Sequence, residues 1–159
     1  MTDETATTHK TILTTLRIMR IPAQPAILTS EEYFKEAGVV RMGKNFQTQF
    51  LNLAGFGVEA TDLVVRKLVE ASLDALILVE LGDKAEILVS QFREFLFLNK
   101  QSPEWCVFYL RGRDEDLWTV RADWRDGDGG WFVCAFPVDV DELSEERDGW
   151  NADDRIVSL

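Results

Sequence analysis

The sequence predicts an α+β domain: an N-terminal strand, about four helices, and a C-terminal three-stranded antiparallel meander packed on the helices. Three observations predict it. The stretch TILTTLRIMRI after residue 10 alternates apolar and polar side chains and is rich in β-branched residues. Residues 29–100 carry capping signals and apolar stripes at helical spacing. Beyond Pro103, runs rich in tryptophan and valine are separated by turn formers.

Residues 1–9 read as a flexible tail and 10–159 as one domain. In the first strand Ile12, Leu16 and Ile18 lie opposite Arg17, and Pro22 and Pro25 end it. TSEEYFKEAG follows, with Thr29 and Glu32 spaced as a capping box and Gly38 placed for a left-handed helix end. VVRM is extended, and NFQTQFLNL puts Phe46, Phe50 and Leu53 on one helical face. TDLVVRKLVEASL reads as a third helix, with Val64, Val65 and Leu68 opposed to Arg66, Lys67 and Glu70. DALILVELG fits a buried strand or a continuing helix equally, because so short an apolar run has no decisive period. Asp83 and Glu86 then have the spacing to cap a fourth helix, whose stripe is Ala85, Leu88, Phe92, Phe95 and Leu96. WCVFYLRG, LWTVRADW and WFVCAFPV form the meander, joined by RDED and RDGDGG. The acidic stretch after it reads as mostly loop, and RIVSL as one more strand.

At 159 residues, 46% hydrophobic and 11% aromatic, the chain has the means for a real core; domains near this size bury roughly 68–70% of their unfolded surface. No apolar run approaches the ~20 residues that span a bilayer, and the polar start MTDETATTHK lacks a signal-peptide core. The expected compartment is therefore the cytoplasm. The net charge is −11, and fifteen carboxylates against six arginines place most of it in residues 101–159. Such a surface repels phosphate backbones and anionic lipid, so neither nucleic acid nor membrane is an expected partner.

Catalytic motifs are sparse. His9 is the sole histidine and lies in the tail, no serine sits in a G-x-S-x-G elbow, and GFGVEA lacks the strand that precedes a dinucleotide loop. Cys106 and Cys134 have no histidine beside them to make a zinc site or an activated thiol. The loop RDGDGG breaks the calcium pattern, since Trp131 arrives where oxygen ligands should continue, and Asp-Gly is a strong hairpin signal. No metal or cofactor is expected.

In simple register, Trp105, Val107 and Tyr109 share an apolar sheet face with Trp118, Val120, Ala122, Trp124, Trp131, Val133 and Ala135. The other face then carries Arg121 and Asp123 between Phe108 and Phe132, with Cys106 and Cys134 on its outer strands. Two readings compete for that stripe: a solvated surface with a local ion pair, or a recognition surface with Arg121 as the anion-pairing group and the aromatics as anchors. Likewise Asp139, Asp141, Glu142, Glu145 and Glu146 read as a solubility tail or as an acidic surface that docks a basic protein.

EASLDALILVELGDKAE, with NFQTQFLNL before it and VFYLRGRDEDLWTVRADW, GGWFVCA and WNADDRIVS after it, resembles a family of small uncharacterised bacterial proteins. The similarity runs from about residue 40 to the end and departs near Leu76, where the family usually has a proline. The resemblance implies a single α+β unit and assigns no activity, cofactor or catalytic residue. The function expected from all this is a non-enzymatic, acidic interaction protein that binds another protein, of the inhibitor or immunity type. A small-molecule-binding or carboxylate-based hydrolytic domain is the alternative, and a nucleic-acid mimic a third.

Overall fold

A seven-stranded mixed sheet organises the computed structural model, which describes residues 11–138 and 149–159. In chain order the elements are β1 (Leu13–Ile21), β2 (Ile27–Leu28), α1 (Glu31–Lys35), β3 (Val39–Met42), α2 (Lys44–Phe50), β4 (Ala54–Gly55) and β5 (Thr61–Leu68). There follow α3 (Asp74–Leu81), a 3-10 turn (Gly82–Lys84), α4 (Val89–Leu98), β6 (Cys106–Arg111), β7 (Leu117–Arg125), β8 (Gly130–Pro137) and β9 (Arg155–Ser158). The large sheet has the order β1-β5-β9-β6-β7-β8-β3, while β2 and β4 form a separate two-stranded ribbon.

This corrects the expected architecture. The chain is mostly sheet, and the N-terminal strand and the C-terminal meander are parts of one layer. β1 pairs antiparallel with β5, β5 with β9, and β9 runs parallel to β6, so the last strand joins the β1–β5 pair to the antiparallel run β6-β7-β8. β3 closes the far edge parallel to β8. It comes close enough that a Cβ on Gly130 would lie 2.4 Å from the Gly38 carbonyl oxygen, which explains the glycine there.

The misread third helix is β5. Val64, Val65 and Leu68 fit a helical stripe, but Thr61, Val64 and Val65 are β-branched, and Leu63 and Val65 are the pair that the sheet buries. The ambiguous run DALILVELG is a helix, buried through Asp74, Ile77 and Leu81 at helical spacing. α1 is capped by Ser30, whose Oγ accepts from the Tyr33 amide at 3.1 Å, and the Thr29 hydroxyl instead donates to the Phe50 carbonyl at 2.6 Å. α4 begins later than the Asp83/Glu86 spacing implies. The Ile87 amide is drawn to the Tyr109 carbonyl at 3.1 Å, which holds residues 86–87 extended, and the helix starts after Leu88.

Each sheet face has its own core. On one, Phe34, Phe46, Phe50, Phe92 and Phe95 from α1, α2 and α4 pack on Phe108, Val120, Trp131, Val133 and Val157. On the other, Ile77 and Leu81 of α3 pack with Leu68, Val107, Tyr109, Trp150 and Ile156. β6 is the strand whose faces are exchanged relative to expectation. Cys106 pairs with Ala122, Phe108 with Val120 and Leu110 with Trp118, a one-residue shift that reverses every side chain of the strand. Trp105, expected in the core, is 41% exposed, and Phe108, expected on the recognition surface, is wholly buried. The shift also puts Cys106 and Cys134 on opposite faces, and both are free thiols.

Trp131 is the largest fully buried side chain, and its indole N–H donates to the Leu96 carbonyl at 3.0 Å, tying β8 to α4. Trp118 is only partly buried and donates to Asp114 at the surface. Trp131→Ala should therefore destabilise the fold by about 3–5 kcal/mol, and Trp118→Ala by clearly less. Chemical denaturation of the two variants checks this order.

Candidate binding site

β7 is a central strand with neighbours on both sides, so its side chains on the α3 side cannot all reach water. Thr119, Arg121 and Asp123 succeed one another there, with Val107 of β6 and Cys134 of β8 flanking Arg121, and Phe132 of β8 opposite Asp123. Asp123 is 5% exposed. It accepts from Arg125 Nε at 2.9 Å, and its other oxygen lies 3.5 Å from Arg121 Nε, an attraction too long for a hydrogen bond. Neither of those last two atoms has another hydrogen-bond partner among the described residues.

Aromatic rings floor the two cations. The Arg121 guanidinium carbon lies 4.6 Å from the centroid of Trp105 and 5.7 Å from that of Phe136. That of Arg125 lies 4.1 Å from the ring of Phe132, which Arg41 also approaches, at 6.0 Å. Contacts of this kind contribute roughly 0.5–1 kcal/mol at exposed sites and more when desolvated. The bond to Asp123 raises the Arg125 ionisation point further. At the margin of the same face, burial raises the Asp154 carboxyl, against the pull of the Asn151 amide and of Arg121.

Both thiols, Cys134 beside this site and Cys106 on the other face of the sheet, are held in the protonated form. Burial raises the Cys134 pKa against the pull of Arg121, and Asp123 adds a smaller rise. Burial pushes Cys106 up to about 12. Among the described residues no three His, Cys, Asp or Glu side chains gather where they could hold a metal ion. The loop RDGDGG is a hairpin turn in which the Asp128 and Gly129 amides donate to the Arg125 carbonyl and Gly129 takes φ 71°.

Of the residues singled out in the sequence, Arg121, Asp123 and Phe132 come together. Phe108 does not: its ring sits 4.8 Å from Phe92 and 5.3 Å from Phe95 on the far side of the sheet. Asp139, Asp141, Glu142, Glu145 and Glu146 lie outside the described residues. Sequence reasoning missed Arg125 and Arg41, since an arginine beside a turn and one on a short edge strand carry no local signal.

It also missed a buried polar node. Asp74 is wholly buried at the start of α3, where Oδ1 accepts from Tyr109 Oη at 2.9 Å and from Trp150 Nε1 at 2.7 Å, and Oδ2 accepts from Thr119 Oγ1 at 2.9 Å. The available signal was a single acid ahead of the apolar run ALILVEL. Every one of its donors is buried, so the node acts as an internal anchor.

Comparison with protein-family models, curated proteins and solved structures returns no match. No helix among the described residues is long and apolar enough to cross a membrane.

Two outcomes follow for these groups. Asp123→Ala removes the carboxylate between two guanidiniums and should destabilise the protein, by less than breaking a fully buried pair because Arg125 reaches solvent, with Asp123→Asn intermediate; urea titration measures both. For Cys106, the folded thiol ionises near 12 and an unfolded one near ~8.5, so the unfolded chain loses the proton first. Its contribution to stability is intact below about pH 8.5 and is lost as pH rises toward 12, roughly 2–3 kcal/mol by pH 10.5. The pH slope of unfolding should be shallower in Cys106→Ala by that amount.

Proposed function

We propose that the chain is a non-enzymatic cytoplasmic protein that binds another protein, with the β7 face as contact centre. The observation that carries this reading is the Arg121–Asp123–Arg125 ladder laid on Trp105, Phe132 and Phe136. Guanidiniums held against aromatic rings present their remaining N–H groups from restricted positions. That arrangement suits a carboxylate or carbonyl of a partner and loses little entropy on binding. Arginine and tryptophan are also the side chains on which binding energy concentrates in protein interfaces.

The groups on this face are suited to holding a partner rather than to bond-breaking: both carboxylates beside Arg121 are neighbours of a fixed cation, and the Cys134 thiol is driven away from the thiolate. The net charge of −11 speeds encounter with a basic partner and opposes phosphate backbones and anionic lipid. In this proposal Asp139, Asp141, Glu142, Glu145 and Glu146 supply long-range attraction, while Arg121 and Arg125 engage an acceptor at the centre of an otherwise basic surface. An inhibitor or immunity partner is of this kind.

The test is affinity capture from the native host with the wild-type chain and with Arg121→Ala, followed by kinetics on the protein identified. Arg121→Ala should stay folded by circular dichroism and raise the dissociation rate by about tenfold or more, the size of a central interface residue. Neutralising the five carboxylates should slow association and flatten its salt dependence. A partner held equally well by wild type and Arg121→Ala would move the contact centre off the β7 face.

A further inference from the structure

We propose that a second site, separate from the β7 face, takes a small uncharged molecule with an aliphatic body and one hydrogen-bond acceptor. The site is a cavity of about 280 Å³ between the β2–β4 ribbon and the start of α4. Drug-sized ligands occupy cavities of roughly 300 Å³ and upward, so the volume fits a smaller molecule. Ile27, Leu53, Phe56 and Ile87 make apolar walls. Phe56 is 90% exposed, so its ring lines the cavity while packing on almost nothing, and a ligand would cover it.

The polar groups of the lining define the ligand's other end. Glu86 and Arg111 bind each other at 2.8 Å, and the Thr29 hydroxyl is used by the Phe50 carbonyl. What is left is Ser90, 5% exposed and lining the cavity, whose hydroxyl has no hydrogen-bond partner among the described residues. It stands in the first turn of the ten-residue helix α4, where Leu88 brings no side-chain acceptor to the first-turn amides. The first-turn amides can only donate, and the Ser90 hydroxyl can turn to donate to the same acceptor. Charge on the ligand is opposed by the apolar walls, which return none of an ion's hydration; Glu86 and Arg111 neutralise each other on the wall, and the helix N-terminus further disfavours a cation. A ketone, ester or amide with an aliphatic tail satisfies both conditions.

2-Heptanone titrated into the isotope-labelled full chain tests this, followed by the amide resonances of Val89 and Ser90. Saturable shifts are expected there, with a dissociation constant of about 1 mM or tighter, as the efficiency of small ligands allows. Hexanoate and hexylammonium should bind at least tenfold more weakly. Ser90→Ala should weaken the ketone by about three- to tenfold, the value of one hydrogen bond. Phe56→Ser should also weaken it while leaving the melting temperature in place, since that ring adds little to the fold. Absence of saturable shifts at α4, equal affinity for either charged analogue, or full affinity in both variants would overturn the proposal.

Discussion

The carboxylate of Asp74 is the constraint on which the arrangement of the sheet depends. Its oxygens accept from Tyr109 on β6, Thr119 on β7 and Trp150 in the segment that leads to β9. A buried carboxylate is expensive to desolvate, and each donor that meets it offsets part of that cost only in the native geometry. The node therefore fixes the register of β6 against β7 on that face and holds Trp150 beside Ser72, with which it exchanges backbone hydrogen bonds of 2.8 and 2.9 Å. From there the chain enters β9, the strand between β5 and β6. Without β9 the β1–β5 pair would have no sheet to join.

Local sequence carried the elements better than their assembly. The helix around Phe46 and Phe50 and the three runs after Pro103 are visible because their apolar residues repeat with the period of the structure they form. The first strand was legible as a strand but not by its face, since Leu16 and Ile18 are exposed and Leu13 and Ile21 are buried, with a register shift between Thr15 and Arg17. β5 was illegible for a physical reason: Val64, Val65 and Leu68 satisfy a helical stripe and a strand face alike, and pairing with β1 and β9 decides between them. The same holds at Glu86, where a capping spacing is overridden by the Tyr109 backbone. Strand order, and the parallel insertion of β9 above all, is a long-range property with no local trace.

For the candidate site, period-two alternation placed Arg121, Asp123 and Phe132 together because the β7–β8 turn is short and its register follows from the Asp-Gly signal. The β6–β7 connection is one residue longer, residues 112–116 against 126–129, and Phe108 went to the wrong face, since one residue more or less in a turn exchanges the two sides of a strand. Asp74 was legible only as an oddity, because its three donors come from positions 35 to 76 residues away.

The two faces of the sheet divide the work between folding and exposure. Among the described residues, three helices and five phenylalanines close the first face, whereas the second has α3 as its one helix, over β6, β9 and the end of β5. Beyond the reach of α3, the outward side chains of β7 and β8 must be compatible with water and with their apolar neighbours at once. Arginine meets both demands, since its weakly hydrated plane lies on an aromatic ring while its edge stays wet. Asp123 then neutralises the repulsion between Arg121 and Arg125, which lie on the same side of one strand. The platform is thus what a half-covered sheet centre requires, and its rigidity is inherited from the hydrogen-bonded strands on either side. The guanidiniums are thereby held in place, because moving Arg121 or Arg125 would mean breaking the strand pairing from which they project.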